Sequence, residues 1–156
     1  MEFQKDFEDL CTSLNGRNVE YIVVGGYALA FHGAPRFTGD LDIFIRPTSD
    51  NVNKLLAALH DFGFRDTRAH PDDLLRERKI LELGRQPIQV HIMASISGVS
   101  WEEAWESRQL GAYGSAPVHF LGREAFIANK RAVGRAKDLA DIDALREPGS
   151  ADSAGS

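Results

Sequence analysis

Two aspartates, Asp40 and Asp42, stand one residue apart in the otherwise apolar run DLDIFI at residues 40–45. Alternation along a β-strand puts both carboxylates on one side of the strand and Leu41 and Ile43 on the other. Two carboxylates side by side repel each other unless a cation or a proton lies between them. The pair is therefore compatible with a solvated edge strand and with a metal site.

A glycine pair, Gly25 and Gly26, ends the β-branched run YIVV, and a short helix is predicted directly after it, over residues 27–32. Glycine lets the backbone approach a ligand closely, and the free amides and positive dipole end of a helix attract an anion. A plain strand-to-helix turn has the same pattern. However, a backbone site for an anion followed by a carboxylate pair is what a nucleoside triphosphate (NTP) with Mg²⁺ requires, because this ion is bound by carboxylates and substrate phosphates.

The elements that must position these residues follow from hydrophobic periodicity and from Gly and Pro positions. Helices are predicted over residues 3–14, 27–32, 52–62, 72–77, 101–108 and 123–145, the last broken near Gly134. Strands are predicted over residues 21–24, 41–45, 79–83, 88–93 and 118–121, with a turn at 84–87.

Length and composition set the limits of the interpretation. The chain has 156 residues, 43% of them hydrophobic, and a net charge of −5. This predicts one soluble domain over residues 1–147 and a disordered polar tail over 148–156. The negative charge excludes a general polyanion binder. A single cysteine, the lack of a signal peptide and the lack of a membrane-length apolar run predict a cytoplasmic protein without a membrane partner.

A local basic element stands out from this acidic background. Between residues 123 and 137 the chain has one acid, Glu124, and five basic residues: Arg123, Lys130, Arg131, Arg135 and Lys137. Each basic residue is compatible with a solvated helix face and with a contact to an anionic ligand.

Four stretches together resemble the nucleotidyltransferase superfamily of the DNA polymerase β type. The run from Val23 to Ile45 carries the Gly-Gly, RFTG and DLD sequences. The others are VHIMASISGVSWEEAW at residues 90–105, the stretch 118–122, and KRAVGRAKDLADIDAL at residues 130–145. The chain resembles small bacterial members, some of which act in toxin–antitoxin and phage-defence (abortive-infection) systems.

The resemblance implies an α/β (α+β) nucleotidyltransferase fold, with a mixed β-sheet and helices packed mainly on one face. It also implies that Asp40 and Asp42 hold Mg²⁺ or Mn²⁺ on an NTP whose phosphates contact Gly25 and Gly26. A hydroxyl then attacks the α-phosphorus and pyrophosphate leaves.

The same resemblance assigns further nucleotide contacts. It places Lys130 and Lys137 against the phosphates, and it puts Arg36 and Thr38 at the nucleotide. Arg36 is equally compatible with pairing to an aspartate. The resemblance favours Asp138 and Asp141 as residues that orient the basic groups or cap the final helix, rather than as metal ligands.

The chain departs from the family at His91, where the relatives carry a third carboxylate. Three interpretations stay open. His91 acts as the base that takes the acceptor's proton, or it marks a degenerate site that binds nucleotide without turnover, or it is an ordinary strand histidine. Gln89 on the same face cannot replace a carboxylate.

Three functions are compatible with these residues. The leading hypothesis is an enzyme that moves a nucleoside monophosphate (NMP) group from an NTP to a hydroxyl on a protein, an RNA or a small molecule. The second is a degenerate nucleotide-binding protein that acts as the antitoxin or regulatory partner of another protein. The third, a nucleotidyltransferase of the antibiotic-modifying kind, is less favoured because the chain has little length for a separate acceptor domain.

Overall fold

The computed structural model of the chain describes residues 4–34, 39–64, 71–76, 80–85 and 88–146, and these ranges contain six strands and seven helices. The strands are β1 (Tyr21–Val24), β2 (Asp40–Ile45), β3 (Leu81–Arg85), β4 (Ile88–Met93), β5 (Gln109–Tyr113) and β6 (Ala116–Phe120). The helices are α1 (Lys5–Gly16), α2 (Gly25–Phe31), α3 (Ser49–Phe62), α4 (Pro71–Arg76), α5 (Trp101–Glu106), α6 (Arg123–Val133) and α7 (Ala136–Arg146).

The strands form one mixed sheet in the order β3-β4-β2-β1-β6-β5. The pairs β2–β4 and β1–β6 are parallel, whereas β1–β2, β3–β4 and β5–β6 are antiparallel. The central strand β1 is buried along its whole length. The predicted α/β class with a mixed sheet is therefore confirmed.

One face of the sheet carries the apolar side chains of β2 and packs against α1 and α3. Leu41 pairs in register with Val90 of the neighbouring strand β4. Val90 in turn lines a small apolar cavity of ≈ 120 Å³ together with Phe7 of α1 and Phe62 of α3. Because Leu41 and the other apolar side chains of β2 are buried in this core, Asp40 and Asp42 lie on the opposite face of the sheet.

The opposite face carries Asp40 and Asp42 and is only partly covered. Phe44, two residues beyond Asp42, packs edge to face against Trp101 of α5, with 5.1 Å between the ring centroids. This contact closes the far end of the face, and the end that carries the carboxylates opens into a cleft bordered by α6 and α7.

Three sequence predictions are wrong in detail. Helix α2 begins at Gly25 rather than at residue 27, so both glycines belong to its first turn. Strand β3 covers Leu81–Arg85 rather than residues 79–83, which places Gly84 in the strand instead of a turn. Strand β5 was not predicted at all.

Strand β5 forms because of its partner rather than its own composition. Its residues QLGAY include only one with high strand propensity, Tyr113. The strand pairs along its full length with β6, and the two are joined at Gly114, whose φ of +60° suits a tight turn. The predicted tail over residues 148–156 lies outside the described residues. In the part of the chain that is described, no helix combines the length and apolarity needed to cross a bilayer.

Candidate active site

The carboxylate face opens into a cleft of ≈ 660 Å³. The cleft brings together six of the nine predicted catalytic and nucleotide-binding residues: Gly25, Asp40, Asp42, His91, Lys130 and Lys137. Two of the predicted nucleotide-binding residues, Arg36 and Thr38, lie outside the described residues. Gly26 is buried and is not among the residues that line the cleft.

Asp42 and His91 lie side by side because β2 and β4 are parallel and pair these two residues directly. The Nδ1 atom of His91 is 3.0 Å from Oδ1 of Asp42. The other ring nitrogen, Nε2, is 3.3 Å from Oε1 of Gln89. If the Nδ1–H of His91 donates to Asp42, Nε2 carries no hydrogen and can accept a proton. The Gln89 amide can turn either its oxygen or its nitrogen towards Nε2, so it is compatible with this tautomer.

The negative charge on Asp42 is unfavourable because the carboxylate is largely buried and lies beside a second one. Burial raises the pKa of the Asp42 carboxyl above its ordinary value, and the neighbouring carboxylate of Asp40 adds to this rise. His91 and Lys130 act in the opposite direction. A buried carboxylate next to a second one is an arrangement that a bound cation relieves.

Gly25 is the point at which the backbone comes closest to Asp42. Its φ is +69°, a left-handed conformation that L side chains rarely adopt. A Cβ added at Gly25 would lie 2.1 Å from Oδ2 of Asp42. Asp42 is thus held between His91 on one side and the glycine backbone at the start of α2 on the other.

Lys130 of α6 is held at the cleft by two buried carboxylates of α7. Its side chain is only 11% exposed, and its Nζ atom is 3.3 Å from Oδ1 of Asp138 and 3.4 Å from Oδ2 of Asp141. The ammonium group therefore has a fixed place in the cleft wall, from which it also acts on the pKa of Asp42.

Asp138 is fully buried and organises the basic groups around it. It accepts hydrogen bonds from the Arg135 guanidinium at 2.7 Å and from the Arg135 backbone N–H at 3.2 Å, which caps the start of α7. Hydrogen bonds from Arg135, aided by Lys130, hold the pKa of Asp138 at about 2. The expectation that Asp138 orients basic groups and caps the last helix is confirmed.

The donor set fits one hard divalent cation shared with substrate phosphates. Asp40 and Asp42 supply carboxylate oxygens from the same face of β2, and Mg²⁺ sites on phosphate substrates need one or two such carboxylates. Within the described ranges, no group of three His, Cys, Asp or Glu side chains could hold a metal ion. The two carboxylates therefore fit one cation that takes its remaining ligands from outside the described side chains.

Sequence reasoning missed a second part of the cleft, which we call the neutral wall. It consists of uncharged side chains of α6, of the end of β4 and the loop that follows it, and of the residue before β3: Ile80, Met93, Ser95, Ile96, Ser97, Asn129 and Val133. Val133 follows Asn129 by four residues and Lys130 by three on α6, and this helical spacing was the signal available in the sequence. The loop residues carried no such signal.

The chain shares its fold with solved structures of nucleotidyltransferases. The structure of the lincosamide antibiotic adenylyltransferase LnuA, bound to lincomycin, superimposes with a TM-score of 0.61 at 15% identity, over 92% of this chain and 96% of that one. A putative nucleotidyltransferase from Thermotoga maritima gives a TM-score of 0.57 at 16% identity, over 90% and 88%. The structure of ANT(2")-Ia in complex with adenylyl-2"-tobramycin gives a TM-score of 0.52 at 13% identity, over 89% of this chain and 84% of that one.

The particular family follows from the sequence. Residues 9–109 match the family model described as "Nucleotidyl transferase AbiEii toxin, Type IV TA system", and the chain belongs to this family. The matched region covers β1, α2, β2 and β4, and thus Gly25, both aspartates and His91. Lys130 and Lys137 lie beyond it. No curated protein sequence matched the chain.

Proposed function

We propose that this protein transfers an NMP group from an NTP to a hydroxyl acceptor, with the aid of a divalent cation and with release of pyrophosphate. One observation carries the proposal. Gly25, the two aspartates and Lys130 line a single cleft, although they come from α2, β2 and α6. A glycine backbone, a carboxylate pair and a fixed ammonium group are together suited to a metal-bound triphosphate.

Each group has a defined part in this reaction. Asp40 and Asp42 hold one Mg²⁺ or Mn²⁺ ion, which neutralises phosphate charge when bound. The backbone at Gly25 and the first-turn amides of α2 contact the phosphates. Lys130 and Lys137 face the leaving pyrophosphate and stabilise the charge that develops on it. Arg36 and Thr38 stay proposed nucleotide contacts.

His91 takes the proton from the acceptor. The acceptor oxygen bonds to the α-phosphorus while the bond to the bridging oxygen of pyrophosphate breaks. The hydroxyl proton moves to Nε2 of His91, because Nδ1 is engaged with Asp42 at 3.0 Å. Asp42 fixes the orientation of the imidazole in the same way that a carboxylate orients a catalytic histidine in other enzymes.

The acceptor is a hydroxyl on a protein, an RNA or a small molecule. The family description names a toxin of a type IV toxin–antitoxin system, which favours a cellular macromolecule. Two structural relatives hold lincomycin and adenylyl-2"-tobramycin, which makes a small-molecule acceptor the alternative to test beside it. The partner in a toxin–antitoxin pair is a further candidate for contact with this chain.

A second candidate function is a degenerate protein that binds nucleotide without transferring it and acts as a regulatory partner. One observation favours it. The position where relatives carry a third carboxylate is His91, and this side chain is bonded to Asp42. A neutral imidazole brings no negative charge for a second Mg²⁺, so binding can persist where transfer has been lost.

A labelling experiment tests the proposal and separates the two functions. The purified protein is incubated with cell lysate, Mg²⁺ or Mn²⁺, and each of ATP, GTP, CTP and UTP, labelled on either the α- or the γ-phosphate. We expect the α-label, but not the γ-label, to enter a macromolecule. Protease and ribonuclease digestion then identify the acceptor class.

The matched control for this experiment is the double variant Asp40→Asn/Asp42→Asn, which keeps side-chain size and removes both charges. It should show no incorporation. Incorporation of the γ-label would contradict NMP transfer, and nucleotide binding without incorporation of either label would support the degenerate protein.

The two lysines of the cleft should differ in their effects on the fold. Lys130→Met and Lys137→Met should each weaken triphosphate binding more than monophosphate binding, by roughly ten- to a hundredfold, because each removes a charge-assisted contact. Only Lys130→Met should also lower the free energy of unfolding, by roughly 3 kcal/mol, because it removes a partner from the buried Asp138 and Asp141. Calorimetric titration and urea unfolding measure the two effects.

Arg131→Met, on the exposed side of α6, is the control for loss of a basic residue. It should change neither binding nor stability. Equal weakening of ATP and AMP binding by the two lysine variants would place these lysines away from the leaving phosphates.

A further inference from the structure

Strand β5 forms one edge of the sheet and takes no part in the proposed reaction. Among the strands of the described ranges, only β6 pairs with it, in a continuous register that runs from Gln109 to Tyr113. The opposite edge of β5 therefore presents backbone groups that no described strand satisfies. Such an edge can pair with a strand of another chain.

The backbone groups that point away from β6 belong to Leu110 and Ala112. Ala112 stands opposite Pro117, which has no N–H, and the carbonyl oxygen of Pro117 accepts a hydrogen bond from Nδ2 of Asn15 at 2.8 Å. Ala112 and Pro117 therefore form a non-hydrogen-bonded pair of the antiparallel ladder. Because the two kinds of pair alternate, Leu110 has the same orientation as Ala112. The N–H and C=O groups of both residues face the free edge.

Strand β5 lacks the features that usually protect a free edge. Its sequence QLGAY contains no charged residue and no proline, and its pairing with β6 contains no bulge. The strand at the other edge of the sheet, β3, carries Glu82 and Arg85. Leu110 is 69% exposed and borders a groove that Trp105 and His119 also line. An uncharged free edge with an exposed aliphatic side chain is typical of a protein interface.

The free edge of β5 is complementary to itself. A second β5 that runs antiparallel to the first, with a two-fold axis at Gly111, places Leu110 of each copy opposite Ala112 of the other. Each of these two pairs exchanges two hydrogen bonds, so all the outward N–H and C=O groups of Leu110 and Ala112 obtain partners. The side chains of both residues, from both copies, then lie on the same face of the joined sheet and form one apolar cluster. A second copy of this chain has the required spacing by symmetry.

The charges at the two ends of β5 also favour a second copy. Arg108 precedes the strand, and its guanidinium carbon lies 3.7 Å from the centroid of the Trp105 ring. At the other end, the carboxylate of Glu8 accepts a hydrogen bond from the backbone N–H of Ser115 at 2.6 Å. In the antiparallel pair, each end carries Arg108 of one copy and Glu8 of the other. Two chains that each have a net charge of −5 can therefore meet here without like charges directly opposite each other.

We propose that two copies of this protein associate through β5, with the two-fold axis at Gly111, and that their sheets join into one. This inference does not depend on the transfer reaction. The aspartates lie on β2, which is separated from β5 by β1 and β6 and therefore lies about 14 Å from it. The association leaves the cleft of each copy open.

Sedimentation equilibrium over a series of protein concentrations tests the association. We expect the wild type to reach twice the chain mass of 17.2 kDa. Leu110→Lys brings two ammonium groups into the same small cluster, and Ala112→Pro removes one outward N–H from each copy. Each variant should raise the Kd of the dimer by roughly tenfold or more.

The matched control is Leu139→Lys, because Leu139 is an exposed aliphatic residue of α7, 46% accessible, that lies outside β5. It should leave the Kd of the dimer unchanged. A wild type that stays monomeric at all concentrations would overturn the proposal. An unchanged Kd in both Leu110→Lys and Ala112→Pro would place the contact elsewhere and would also overturn it.

Cysteine cross-linking tests the register of the two strands. Leu110 of one copy and Ala112 of the other have Cα atoms about 5.5 Å apart in the proposed pair, which suits a disulfide, whereas the two Leu110 residues are about 9 Å apart. The native cysteine, Cys11, is buried. A mixture of Leu110→Cys and Ala112→Cys should therefore form a covalent dimer under mild oxidation, and neither variant alone should do so. Equal cross-linking in the separate variants, or none in the mixture, would overturn the axis at Gly111.

Discussion

Replacing Gly25 with alanine is expected to reduce NMP transfer by roughly a hundredfold or more, since a displacement of about 1 Å at a reacting group costs this much. The new Cβ would lie 2.1 Å from Oδ2 and 2.9 Å from Cγ of Asp42, so the carboxylate must move. The left-handed φ of +69° adds backbone strain of about 1–2 kcal/mol. Transfer of α-label and the urea-unfolding midpoint measure the two consequences.

Gly134→Ala is the control for the backbone part of this effect. Gly134 has a φ of +73°, and the nearest atom to an added Cβ there is 3.5 Å away. This variant should lose a similar amount of stability to strain and should leave Asp42 in place. A Gly25→Ala protein with wild-type transfer would show that the close approach of the α2 backbone to Asp42 has no part in the reaction.

Replacing His91 should have the second large effect, a loss of transfer of roughly 10²- to 10⁴-fold, as for removal of a general base. The informative variant is His91→Asn. An asparagine amide can still donate a hydrogen bond to Asp42, but it cannot take a proton from the acceptor. We therefore expect His91→Asn to bind NTP, as measured by calorimetric titration, and to transfer no α-label.

His91→Asp completes the series, because it restores the carboxylate that the relatives carry. It should bind Mg²⁺ more tightly and keep transfer at or above the wild-type rate, since a carboxylate can both ligate a second ion and accept the proton. Wild-type activity in His91→Asn would contradict the role of His91 as a base and would make it a residue that only positions Asp42.

Local residue patterns were sufficient to predict the centre of the sheet and the main site residues. Strands β1, β2 and β4 carry β-branched or alternating runs bounded by Gly or Pro, and these signals are local. The carboxylate pair could be assigned to one face of β2 because that face follows from alternation alone.

Features that depend on contacts between distant segments could not be predicted. The pairing of Asp42 with His91 is set by the register of β2 against β4, which no local pattern encodes. Strand β5 forms on an existing edge despite its weak propensity. The neutral wall depends on the packing of Gly98 on α6, which joins segments about 30 residues apart in the chain.

The burial of Asp42 has a consequence for the lifetime of the protein. Because its pKa is raised, the contribution of Asp42 to stability is present below the ordinary carboxyl pKa of 3.8 and is lost as the pH rises through the folded value. At neutral pH the charged Asp42 carboxylate therefore lowers the free energy of unfolding. Under the proposed function, a bound cation and nucleotide reverse this effect, and the stabilisation grows with the logarithm of ligand concentration above the Kd. Since proteolysis follows the population of opened molecules, we expect cellular turnover to remove the nucleotide-free protein first.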